Sequence, residues 1–156
     1  FAMQQMMTEL DMQIGKEVLT LLPAKLDALA ANTKNDNVMA NTGLLGCVIH
    51  RDYGTEPKDA RIEIMTSSPL VASINAILSI PMMGNSSDGT QKVVKVAGYK
   101  SVLQKSVDSE TKKENYTLQI PLNSTLLTLF ADDSKEAEIL KWANTIPVDK
   151  IAKMVQ

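Results

Sequence analysis

Residues that carry chemistry are scarce in this chain, and each scarcity closes off a class of function. A single cysteine, Cys47, allows no internal disulfide and leaves the redox compartment open. That thiol and a lone histidine, His50, fall short of the three or four ligands a structural zinc requires, so neither a metal nor a cofactor is expected. Aromatic residues make up 4% of the chain, too few for a platform that stacks bases or sugars. The net charge of -2 supplies no attraction to nucleic acid or to an anionic membrane. No apolar run approaches the ~20 residues of a membrane span. The longest, Leu70 to Met83, is broken by Ser73, Asn75, Ser79 and Pro81. Gly84 and Gly89 are not part of a GxxxxGK[ST] pattern, so no phosphate cradle is expected.

What is present is an aliphatic globular composition. The chain has 156 residues, 44% hydrophobic and 22% charged, which suits a single domain over residues 1–156 with one core. Nine methionines are read chiefly as gap-fillers in that core. The stretch from Ala60 to Met83 organises the rest. Ala60, Ile62 and Ile64 alternate with Arg61, Glu63 and Met65, the period-two pattern of a strand covered on one face. Ser68-Pro69 then offers a capping oxygen and a preset helical φ. Leu70, Val71, Ile74, Ile77 and Leu78 follow as a wide apolar helical stripe that Pro81 and Gly84 stop.

Upstream, Met3, Met7, Leu10, Ile14, Val18 and Leu21 recur every three or four residues and predict an amphipathic helix ended or bent by Pro23. A short second helical piece is expected over Ala24 to Ala31, and the Asn-rich ANTKNDNVMANTG reads as a loop. Leu45, Cys47 and Ile49 share a strand face, with Tyr53-Gly54 opening a turn into the Ala60 strand, giving an antiparallel hairpin. Beyond the central helix, GNSSDGT is a polar loop. Val94 and Val96 alternate with lysines up to a tight turn at Ala97-Gly98, and DSETKKEN is a hairpin tip. Tyr116, Leu118, Ile120 and Leu122 form a strand whose Pro121 places it at an edge or ends it. Thr125 to Ala131 is the last strand. Asp132, Asp133 and Ser134 lead into a helix through Leu140, Trp142 and Ile146, and VDKIAKMV adds a short one. The predicted fold is α+β: a mostly antiparallel sheet of about six strands, packed by an N-terminal, a central and a C-terminal helix in the order α-β-β-α-β-β-β-β-α.

The strand hairpin, the crossing helix, the meander carrying VKVAGYKSV and the closing WANTIPVDKIAKM together resemble small exported bacterial domains of unknown function. Their architecture is similar to the Mog1/PsbP-like group, an antiparallel sheet between helices. The resemblance implies a non-catalytic accessory or binding domain that is exported or periplasmic, and no functional residue is carried over from it. A start at Phe1 rather than Met suits a processed precursor and a trimmed chain alike, so a removed export signal is allowed, and a cytoplasmic location stays open.

No catalytic constellation can be assembled. His50 with Asp52 and Ser67 or Ser68 lacks a GxSxG setting, and Ser68-Pro69 reads as a helix cap. Cys47 and His50 sit three residues apart, on opposite faces of a strand. Asp132, Asp133, Glu136 and Glu138 run straight into a helix instead of forming a calcium loop. The expectation is therefore a non-enzyme that binds a protein, with two candidate surfaces. One is the lip of Ile80, Pro81, Met82 and Met83, and the other is the first helix. The alternative is a carrier of a small apolar ligand held between the central helix and the sheet, and a hydrolase ranks third.

Overall fold

Residues 2–26, 29–40, 47–55, 58–66, 70–79 and 91–155 are described by a computed structural model. Helix α1 (Ala2–Leu21) leads into strands β1 (Lys25–Leu26), β2 (Leu29–Ala40), β3 (Cys47–Thr55) and β4 (Lys58–Met65). Helix α2 (Leu70–Ser79) follows, then β5 (Gln91–Val96), β6 (Tyr99–Val107), β7 (Glu114–Leu122) and β8 (Thr125–Ala131). Helices α3 (Glu136–Thr145) and α4 (Val148–Val155) close the described chain. The class is α+β, with every strand pairing antiparallel in the order β1-β2-β3-β4-β8-β7-β6-β5. Two four-stranded meanders thus meet along β4 and β8, where Ile62 faces Leu129 and Ile64 faces Leu127.

That seam explains the burial of β8. In TLLTLFA neighbouring residues point to opposite faces, yet all but Phe130 are buried, because helices cover both sides. Leu127 and Leu129 join the main core with Val18, Ile49, Ile62, Leu118, Ile139, Trp142 and Ile151, under α1, α3 and α4. Leu126 faces the other way, into a smaller cluster with Val102 and with Val71 and Ile74 of α2.

The sheet has eight strands rather than six, and the two extra ones lie where the sequence suggests a helix and a loop. Residues 24–31 contain β1 and the start of β2 instead of a short helix, and the Asn-rich stretch continues β2 as far as Ala40. Asparagine has low strand propensity, but β2 gains a full ladder partner in β3 and places Val38 beneath α1. The strand still shows its composition. Asn32 pairs with Asp52 and Asn37 with His50, so extra residues bulge out between them, and the bulge carries Asp36.

One turn and one strand position also differ. β3 does not turn at Tyr53-Gly54: Tyr53 pairs with Ala60, Gly54 with Asp59 and Thr55 with Lys58, so the ladder runs on past both residues. The reason is burial, since the Tyr53 ring lies in the core and its hydroxyl donates to the Pro23 carbonyl at 2.6 Å. β7 is no edge strand, because it lies between β6 and β8. Pro121 is tolerated because the β6–β7 register reaches only Gln119, so no partner on that side needs its missing N–H. The turn at Ala97-Gly98 forms as expected, with φ of 52° and 87°, the positive pair that a two-residue hairpin favours.

The capping position of α3 is Lys135, and its backbone N–H donates to Glu138 Oε1 at 3.2 Å. Ser134 instead turns its hydroxyl to the Asp132 carbonyl at 2.9 Å.

Candidate functional site

Of the surfaces that the sequence points to, the lip of Ile80, Pro81, Met82 and Met83 lies outside the described residues, as do Ser67, Ser68 and the GNSSDGT loop. The first helix is described, and its two halves differ sharply. From Ile14 onward it packs down: Val18 is buried, and Ile14, Leu19 and Leu21 lie against the main core. Gly15 sits so close to the sheet that an added Cβ would lie 2.5 Å from Val38 Cγ1 and 3.2 Å from Cys47 Sγ. Towards its start the same stripe runs off the body. Met3 is 74% exposed, Met6 63% and Leu10 56%. At 1.5 Å per residue, this unsupported half is about 15 Å long.

The sheet face opposite the main core presents a polar array. His50 and Asp52 lie two apart on β3, and Glu63 of β4 is directly opposite His50. The His50 Nε2 stands 2.8 Å from Asp52 Oδ1, and its Nδ1 stands 3.4 Å from Glu63 Oε1. A carboxylate oxygen therefore stands beside each ring nitrogen of the imidazole. Beside it Arg61 lies over the Phe130 ring, 4.3 Å from the centroid. Cys47 faces the main core, on the other side of the strand from His50, and is buried at 1% exposure. Its backbone N–H donates to Thr66 Oγ1 at 2.6 Å.

Further along the same face, Asp59 and Asp132 end β4 and β8 side by side, tied by the Asp132 N–H to the Asp59 carbonyl at 2.9 Å. Desolvation raises the pKa of Asp59 above the ordinary aspartate range, and a hydrogen bond from one carboxyl to the other adds to this. The four acids that might have formed a calcium loop are thereby dispersed. Asp132 meets Asp59, Glu136 pairs with Lys92, Glu138 caps α3, and the Asp133 backbone N–H donates to Asn115. Among the described residues, no group of three or more His, Cys, Asp or Glu side chains is placed to hold a metal ion.

An internal polar cluster escaped the sequence reading altogether. Arg51 reaches Asp36 on the β2 bulge with two hydrogen bonds, of 2.9 and 2.7 Å, and donates a third to the Leu22 carbonyl at 3.2 Å. Hydrogen bonding to Asp36 raises the pKa of Arg51 further, while burial pushes the neighbouring Tyr53 up to about 12. The cluster ties the end of α1 to β2 and β3, a structural role. The available signal was weak: an arginine in phase with Ile49 and Tyr53 on an otherwise apolar strand face.

Two open pockets are lined by polar described residues. One of about 540 Å³ lies between the β6–β7 tip and the start of α3, with Lys112, Lys113 and Lys135 facing Glu114, Asp133 and Glu138. Its charges balance, so it favours neither anions nor cations. No helix among the described residues is long and apolar enough to cross a membrane.

The chain matches no protein-family model, and no curated protein or solved structure is significantly similar to it.

Proposed function

We propose that this domain works by binding a protein partner rather than by catalysing a reaction, and that the partner docks on the first half of α1. The observation that carries this reading is the exposure of Met3, Met6 and Leu10 on a stripe whose continuation is core. A helix half of this length is marginal on its own in water. Here it propagates from the packed half, and its apolar stripe gains nothing until another surface covers it. Methionine suits such a role, because its flexible thioether adapts to the shape of an occupant. Non-catalytic action is supported by Cys47 lying buried on the side of β3 opposite His50. In this reading the domain is an exported accessory module of the Mog1/PsbP-like kind, supported by an antiparallel sheet covered by helices on both faces.

The carrier alternative draws less support. Val71 and Ile74 of α2 seat directly on Val102 and Leu126, so side chains fill the space between that helix and the sheet.

The test is site-specific photo-cross-linking in extract of the source cells. A benzoylphenylalanine in place of Met6 should give an adduct with another polypeptide, and the same group in place of Gln104, exposed on β6, should not. Equal adducts at both sites, or none at Met6, would overturn the docking reading.

A further inference from the structure

We infer that His50, Asp52, Arg61 and Glu63 form a proton-operated clasp between β3 and β4, closed while the His50 ring carries two protons and open at Glu63 when it loses one.

The four side chains share the sheet face away from the main core and occupy a two-by-two block. His50 stands directly opposite Glu63, and Asp52 directly opposite Arg61. His50 and Asp52 are two apart on one strand, and Arg61 and Glu63 two apart on the other, so all four point to the same side. With the imidazole charged, every neighbour in the block, along a strand or across the ladder, has the opposite sign. Opposite charges that face each other across a ladder support the pairing.

The number of protons on the ring decides whether the block closes. An imidazolium donates from both nitrogens, whereas a neutral imidazole donates from one and keeps a lone pair on the other. Here Nε2 stands 2.8 Å from Asp52 Oδ1 and Nδ1 stands 3.4 Å from Glu63 Oε1, so each nitrogen faces an acceptor. A ring with one proton turns a lone pair towards one of the two carboxylates. The shorter contact keeps the proton on Nε2, and the longer one, to Glu63, gives way.

The neighbouring strands leave the block to itself. Asn37 of β2, opposite His50, and Thr128 of β8, opposite Glu63, carry no charge. On the bulge of β2, Lys34 is exposed and Asp36 turns to Arg51 on the core side. A released Glu63 meets Arg61, two residues back along β4 and steadied by the Phe130 ring. The block is neutral as a unit with the ring charged and carries a net negative charge without it, so the charge on this face follows the ring's proton.

NMR of the intact, isotope-labelled chain tests the clasp, because the only histidine gives unambiguous ring signals. The Glu63 side-chain carboxyl carbon should shift in step with the pH transition of the ring, and the neutral ring should show its proton on Nε2. His50→Gln, on the partly exposed face of β3, should keep the amide pattern of the core and lose the Glu63 step, because glutamine cannot change charge. A Glu63 carboxyl that ignores the ring's transition overturns the inference. So does a step that survives in His50→Gln, or a neutral ring protonated on Nδ1.

Discussion

Asp59 and Asp132 show how a single pair can work against the fold. They stand opposite each other at the ends of two central strands, and like charges so placed destabilise a sheet. Because the folded-state pKa of Asp59 is raised, the folded chain holds its proton to higher pH than the unfolded chain does. Stability is therefore greatest below the ordinary aspartate range and falls as pH rises through the raised value. Asp59→Asn removes this loss, so the variant should gain on the wild type from about pH 4 upward, by about 0.5 kcal/mol at neutrality. Urea unfolding at several pH values checks it, and a difference between the two proteins that does not change with pH would refute it. Arg51 and Asp36 are the opposite case, a half-hidden pair in which each charge has its partner and Arg51 also meets a backbone carbonyl. The alternation of β3 could be read without knowing that its fifth residue is an arginine turned inward. That placement depends on a bulge in another strand.

At the scale of elements, α1 joins a packed half to an unpacked one, and Gly15 sets the distance at which the packed half lies. With no Cβ there, the helix backbone rests close above Val38 and Cys47. Gly15→Val should lift the helix and cost about 2 kcal/mol through overpacking. Val38→Ala should recover part of that loss by opening the space. Unchanged urea midpoints in the single variant would show that the helix is not seated on the strand. The amphipathic period of α1, the central helix and the hairpin at Ala97-Gly98 were all legible in the chain, because each is written in local spacing and turn chemistry. β2 was not. Its asparagines favour turns when only the neighbouring residues are considered, and they became a strand because β3 offered a ladder and α1 a roof.

At the scale of the whole molecule, the main core runs without a break from Val18 of α1, across all the longer strands except β2, to Ala152 of α4. The two meanders share that core along β4 and β8, so neither has an apolar face to itself. Unfolding should accordingly be one cooperative transition. Trp142, 2% exposed between α3 and the sheet, reports on the core by fluorescence, and circular dichroism reports on the backbone. The two probes should give coincident denaturation curves. Separate midpoints would mean that one meander melts on its own.

The candidate surfaces follow the same division between local and long-range information. Composition argued against a structural zinc site, a stacking platform and a membrane-spanning helix, because those need residue types or runs that the chain scarcely has. Periodicity determined that strands and helices would alternate in an α+β order, because a half-buried element must repeat its apolar positions at its own pitch. Tertiary structure alone decided that eight strands form one sheet, that His50 lies between Asp52 and Glu63, and that the stripe of α1 is buried from Ile14 onward yet exposed at Met3, Met6 and Leu10. The physical reason is that a repeat along the chain specifies which face of an element seeks cover. Only the placement of distant strands and helices determines how much of that face finds it.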